Sequence, residues 1–222
     1  IYAERMPFLY GFSPSVIPRP DDWPDWHHIS GYWFLDRDPT WSPPEPLLRF
    51  LEGGPKPISI GFGSMIGRHT RKLVEVAIKA LERCDQRAVL LGGWAHVGEL
   101  ELPDSVFKID AVPHDWLFPR MAAVVHHGGS GTTAAGLRAG IPSVVVPFFG
   151  DQPYWGRRVH ALGVGPKPIQ LKALTAKNLA EAISWTVSDE GVREEAAALG
   201  TLIRSEDGVR SAVDFIRSCL GI

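Results

Sequence analysis

The sequence predicts an α/β fold, a parallel sheet with helices on both faces, and three observations carry that prediction. From Ile58 onward, short runs of valine, leucine and isoleucine alternate with stretches of helical period. Those runs are apolar throughout, as strands covered on both faces are, rather than alternating with polar residues. Polar and glycine residues recur just after each run, where a parallel sheet binds its ligands.

The elements follow in order. Pro57-Ile-Ser-Ile-Gly-Phe-Gly-Ser64 reads as a buried strand ending in glycines. Arg71 to Arg83 is a helix with Leu73, Val76, Ala77, Ala80 and Leu81 on one face. Ala88-Val-Leu-Leu-Gly92, Val106 to Val112, and Ala122 to His126 are the next strands. Thr132 to Ala139 is a helix stopped by Gly140 and Pro142. Pro142 to Pro147 is the fifth strand, and a helix follows around Tyr154 to Leu162. Gly163 to Ile169 is expected as a short edge strand. Thr175 to Ser188 and Gly191 to Cys219 close the chain as helices, the second interrupted near Gly200 or Gly208.

The first 56 residues differ. Eleven of the 19 prolines and four of the eight tryptophans precede Ile58, so this stretch is irregular and extended. Trp23, Trp26, Trp33 and Trp41 require a surface to pack on, which excludes a disordered linker. The division is therefore 1–56 as a Pro/Trp-rich connector and 57–222 as the sheet domain. The chain opens on Ile1, which is expected to lie inside a longer polypeptide.

Bulk properties exclude several classes. A net charge of −2 argues against nucleic acid as a partner. Cys84 and Cys219 have no metal spacing and read as reduced, buried thiols of a cytoplasmic protein. No apolar run reaches membrane-spanning length.

Among the strand ends, Val124-Val125-His126-His127-Gly128-Gly129-Ser130-Gly131-Thr132-Thr133 is the strongest signal. An apolar strand runs into glycines that admit close backbone approach, and the free N–H groups of a helix start follow, which together make an anion cradle. His126 is the favoured ligand residue, and His127 is as easily a packing residue. Asp151-Gln152 after Gly150 sets acceptors and donors together, which suits sugar hydroxyls; a helix cap by Asp151 is the equal alternative. Gly61-Phe-Gly-Ser64 fails as a dinucleotide fingerprint, because Gly67 comes one position late and no acid ends the next strand. Asp36-Arg37-Asp38 is a solvated corner rather than a metal site, and Ser130 lacks the pattern of a hydrolase nucleophile. His27, His28, His69, His96 and His160 have no metal-ligand spacing.

Taken together, His126-His-Gly-Gly-Ser-Gly-Thr132, Gly140-Ile-Pro142 and Pro147-Phe-Phe-Gly-Asp-Gln152 resemble the donor signature of nucleotide-sugar glycosyltransferases of the two-domain GT-B fold. Tyr10 to Pro14, Asp22-Trp-Pro24, Gly31 to Phe34, Phe62 to Met65 and Pro113-His-Asp-Trp116 are similar to the sterol 3-beta-glucosyltransferases within it. The resemblance implies a Rossmann-like C-terminal half of a GT-B fold. It implies UDP-glucose as donor and a sterol or other lipid hydroxyl as acceptor, with neither cofactor nor metal. His126 would meet the diphosphate, with Gly128, Gly129, Ser130, Gly131 and Thr132 around it. His114 would border the uracil, Ser64 the diphosphate and Trp94 the nucleoside, while Gly150, Asp151 and Gln152 would hold the glucose. Plant relatives place a ribose-binding glutamate where this chain has Ala134. The catalytic base and acceptor pocket would lie in an N-terminal domain missing from this chain, so the fragment would bind without catalysing. Peripheral membrane contact is expected for a sterol-modifying enzyme. A macrolide or glycopeptide acceptor, and a non-catalytic sugar-nucleotide module, are the alternatives.

Overall fold

The computed structural model describes residues 6–63, 70–92 and 102–222. Five parallel strands form the central sheet: β3 (Ile58–Gly61), β4 (Ala88–Leu91), β5 (Val106–Ile109), β6 (Val124–His126) and β7 (Ser143–Val145). Their order is β5-β4-β3-β6-β7, so the chain builds outward from β3, returns to its other side and continues. The switch point lies between β3 and β6, which pair with Gly61 beside His126.

Alternation along each strand feeds two separate cores. Ile58, Ile60, Leu90, Val125 and Val144 point to one face, packed by α2 (Thr70–Cys84) and α6 (Ala176–Ser188). Val89 and Val124 point to the other, with Leu47 of α1 (Glu45–Glu52), Trp116 and Leu117 of α3 (His114–Leu117), and Phe118. Burying each large aliphatic side chain here contributes about 1.5–3 kcal/mol. In α2, Val74, Ala77, Ile78 and Leu81 are buried at helical spacing, making the stripe that meets the sheet. A third cluster, at the β7 edge, joins Leu137 of α4 (Ser130–Ala139), Trp155 and Val159 of α5 (Gln152–Ala161), and Ala196 and Leu199 of α7 (Glu190–Ser205).

The expected edge strand at Gly163 to Ile169 does not form. Its segment makes only two bonds alongside β7, from Ser143 N–H to the Val164 carbonyl (3.0 Å) and from Ile169 N–H to the Val145 carbonyl (2.9 Å). Pro166 and Pro168 have no N–H to donate, and Gly163 turns at φ 72°, so no ladder can run on. The long terminal helix breaks at Gly208, not at Gly200: Asp207 caps α8 (Gly208–Leu220) by accepting the Arg210 N–H at 3.0 Å. Cys84 is half-buried and Cys219 is exposed, so the second thiol departs from the expected burial.

The Pro/Trp-rich segment contains structure that its composition conceals. β1 (Phe8–Tyr10) and β2 (His27–Ile29) pair in parallel, and the Tyr10 ring stacks on Trp23 with centroids 4.5 Å apart. His28 stacks on Phe215 of α8 at 4.6 Å, and Ser13 and Ser15 donate to the Glu206 carboxylate at 2.6 and 3.1 Å. Farther on, Asp36 accepts from Arg138 and Arg37 donates to Asp115, each at 2.8 Å, while Asp38 turns back onto Thr40. Trp41 meets Trp116 edge-on at 5.3 Å. Two acids of the Asp36-Arg-Asp38 corner are thus spent on a salt bridge and a turn.

α4 and α7 cross at two glycines. A Cβ on Gly200 would lie 2.5 Å from the Gly140 Cα, and Gly140 itself ends α4 at φ 72°. A helical glycine ordinarily gains about 1 kcal/mol on replacement by alanine. Here Gly200→Ala is expected to destabilise by roughly 1–3 kcal/mol through overpacking, read as a lower denaturation midpoint in urea.

Candidate functional site

β6 ends on His126, whose side chain lies on the sheet face carrying α3 and α4. The chain then turns at Gly128 (φ 89°) and enters α4. His127 takes the opposite orientation, its ring 6.5 Å from that of His126 and nearly perpendicular. A Cβ on Gly129 would come within 2.5 Å of the His127 Nε2, and one on Gly63 within 3.0 Å of its Cε1. A Cβ on Gly128 would meet Val145 at 2.8 Å and the Gln152 carbonyl at 3.0 Å. Gly128 is therefore required inside the turn, whereas a side chain on Gly129 would displace the His127 ring. Gly131, by contrast, faces open space.

α4 has no side-chain cap; its first internal bond runs from the Thr133 N–H to the Gly129 carbonyl at 2.9 Å. The amides of Ser130, Gly131 and Thr132 precede that bond, and no described group accepts from them. They carry the positive end of the helix dipole. Beside them opens a cleft of about 560 Å³ over the ends of β3, β4 and β6, lined among others by Gly61, Gly92, Asp110, His114, His126 and Thr132. Ser59 forms part of its floor.

His126 is fully buried, and its Nδ1 accepts the Gly128 N–H at 3.1 Å. In the neutral ring that bond places the proton on Nε2, a buried atom with no described partner. Burial, then His127 and His114, pushes the His126 pKa down to about 3. Burial also lowers His127 and His114, in the latter against the pull of Asp115. The His114 ring stacks on Phe118 at 4.4 Å and forms a flat wall of the cleft. The site thus offers neutral donors and oriented dipoles instead of a cation.

The Asp151-Gln152 pair divides. Asp151 makes no cap; its Oδ2 accepts from the Trp155 indole at 2.8 Å, and the residue is exposed after Gly150 (φ 65°). Gln152 is buried, and its Oε1 accepts the N–H groups of Phe148 and Phe149 at 2.8 and 3.2 Å. Asp151 thus stands at the tip of the β7–α5 loop, and Gln152 braces that loop from within. Ser64 and Trp94 lie outside the described residues. Among the described residues, no three His, Cys, Asp or Glu side chains are grouped as a metal would need, and no helix is long and apolar enough to cross a membrane.

Two cleft residues escaped the sequence reading. Asp110 follows β5 directly, so the strand-end rule that selected His114 also covers it. Ser59 is the one polar residue between Ile58 and Ile60; its hydroxyl is buried without a described partner.

Comparison with known proteins gives the family of the chain. The chain is 47% identical over 212 residues to a sterol 3-beta-glucosyltransferase of Arabidopsis thaliana, covering 95% of this chain and 33% of that protein. It is 41% identical over 227 residues to a sterol 3-beta-glucosyltransferase of Candida albicans, covering 96% and 15% respectively. The chain therefore spans about a third or less of these relatives. The calicheamicin glycosyltransferase CalG4 shares its fold, with a TM-score of 0.78 and 23% identity over 98% of this chain and 53% of that one. Residues 77–207 match the model of the erythromycin biosynthesis protein CIII-like C-terminal domain. The chain belongs to that family, as a C-terminal domain of GT-B glycosyltransferases.

Proposed function

We propose that this chain is the donor-binding half of an inverting glucosyltransferase that carries glucose from UDP-glucose to the hydroxyl of a sterol or related lipid. The carrying observation is the set of unpaired α4 amides beside the orphaned Nε2–H of His126, at the switch point of the sheet. Similarity to sterol glucosyltransferases supports the donor and acceptor classes. The acceptor pocket and the base that removes the acceptor proton belong to a preceding domain in this reading, so the 222 residues bind the donor without turning it over.

The deprotonated acceptor oxygen attacks the anomeric carbon, the bond from that carbon to the diphosphate breaks, and negative charge collects on UDP. The amides of Ser130, Gly131 and Thr132 and the His126 Nε2–H are the groups that receive this charge. A donor fixed in advance at such a point lowers the barrier by about 3–4 kcal/mol. Because His126 donates as a neutral ring, the cradle works without an acidic pH and without a metal. Asp151 accepts sugar hydroxyls at the loop tip, and Gln152 shapes that loop from behind. We place this chemistry in the cytoplasm, at a membrane surface where a sterol is available.

Calorimetric titration with UDP and UDP-glucose in the absence of metal is expected to give measurable binding by both. His126→Ala should weaken UDP by roughly 10–100-fold, the worth of one hydrogen bond to a charged acceptor. Heat absent for both nucleotides with a folded protein would reject the donor site, and equal affinity in the variant would remove His126 from it.

The buried ring also makes stability depend on pH. The unfolded chain takes up a proton on this histidine near pH 6.5, whereas the folded chain resists until about 3. Stability is thus complete above 6.5 and falls as the pH drops through that window, by about 1.4 kcal/mol per unit. In His126→Gln, the decline of unfolding free energy between pH 6.5 and 4 should be shallower by about that slope, whatever the variant's stability at pH 7.

A further inference from the structure

Trp155 is held from behind and bonded in front. Its side chain is buried in the cluster that joins Val145 of β7 and Val159 of α5 to Val16 of the Pro/Trp-rich segment. That segment is tied to α5 as well, because the Arg158 Nε–H donates to the Val16 carbonyl. Tyr154 meets the Trp155 ring edge-on at 5.4 Å. A helical side chain leans toward the N-terminus of its helix, so the indole reaches one turn back. There its Nε1–H donates to the Asp151 Oδ2 at 2.8 Å.

Asp151 is thereby kept from its ordinary partners. It stands at the start of α5, where an aspartate usually accepts from the free amides of the first turn. It makes no such bond. The residue is exposed, and a Cβ on Gly150 before it would meet nothing within 4 Å. A carboxylate in such a place turns freely unless something holds it, and that freedom is lost each time a ligand binds. The indole removes the loss in advance, since it carries one donor on a ring fixed by packing. Oδ1 has no described partner and remains to accept from a ligand hydroxyl. The carboxylate also stands within electrostatic reach of the cradle turn: burial lowers the His127 pKa, and the Asp151 charge opposes it.

We infer that Trp155 is a positioning residue, whose indole draws the Asp151 carboxylate off the end of α5 and fixes it for the hydroxyls of the donor sugar. This inference rests on the reading of Asp151 as a sugar contact. Packing alone would be met by any aromatic ring at this position, whereas only the indole N–H orients the carboxylate. UDP lacks the transferred sugar, so its affinity reports the cradle without Asp151.

The test is calorimetry of UDP and UDP-glucose against the protein, Trp155→Phe, Asp151→Ala and the double variant. Trp155→Phe keeps a ring in the cluster and removes the N–H. It is expected to weaken UDP-glucose roughly 3–10-fold, the worth of one hydrogen bond, and to leave UDP unchanged. In the Asp151→Ala background the same change should weaken UDP-glucose no further. Unchanged UDP-glucose affinity in Trp155→Phe overturns the inference. Equal weakening of both ligands makes Trp155 a packing residue, and an undiminished effect in the Asp151→Ala background gives it another contact; each overturns the inference too. Should Trp155→Phe fail to fold, the parent supplies the same test by NMR: the indole N–H resonance that Asp151→Ala displaces should move with UDP-glucose far more than with UDP. A resonance that answers both ligands alike overturns the inference. UDP-glucose bound by Asp151→Ala as tightly as by the parent rejects the sugar role of Asp151 itself, and this inference with it.

Discussion

Because the chain reverses its course across the sheet at β3, the pairing of β3 with β6 leaves their carboxyl ends uncovered by any crossover. Ser59, Gly61, His126 and Thr132 border that opening. Gly61 sits beside His126 in register, so the strand next to the imidazole has no side chain to fill the space. Ser59 continues the same face below. Were larger residues at these two positions, the sheet would remain and the cleft would close. The pairing thus determines both where the cleft opens and how deep it is.

His126 shows how burial and geometry act together. Its Nδ1 is held by the Gly128 N–H, and that amide is placed by a left-handed turn that Val145 and Gln152 leave too tight for a side chain. The protein spends the conformational freedom of glycine on orienting an imidazole. Burial then keeps the ring neutral, which leaves its one proton on a buried Nε2 with no described partner. The turn, the tautomer and the orphaned Nε2 form one arrangement. None of the three is meaningful alone.

Much of this was legible in the sequence because it follows from period and punctuation. The apolar runs at β3, β4, β5, β6 and β7 have no other use than a sheet covered twice, and Gly140 with Pro142 stops α4 where it must. The strand-end rule found His114, His126 and the α4 start. It could not say that Gln152 faces inward, because that depends on the Phe148 and Phe149 amides brought round by the loop. The pairing of β1 with β2 was also hidden. Each strand is three residues long, so its partner rather than its pattern defines it. Likewise Gly163 to Ile169, expected as an edge strand, runs beside β7, but its prolines deny it the bonds of a strand.

The contact of Gly140 with Gly200 has a mechanical consequence. α4 is a rod of ten residues, about 15 Å long. One end aims amides into the cleft; the other rests backbone to backbone on α7, with no side chain between to yield. A stop made of two main chains has no rotamers and does not compress. It sets how far the rod can slide along its axis, and so how far its free amides stand into the cleft. The position of those amides is thus gauged at the opposite end of the helix, where Gly140 meets Gly200.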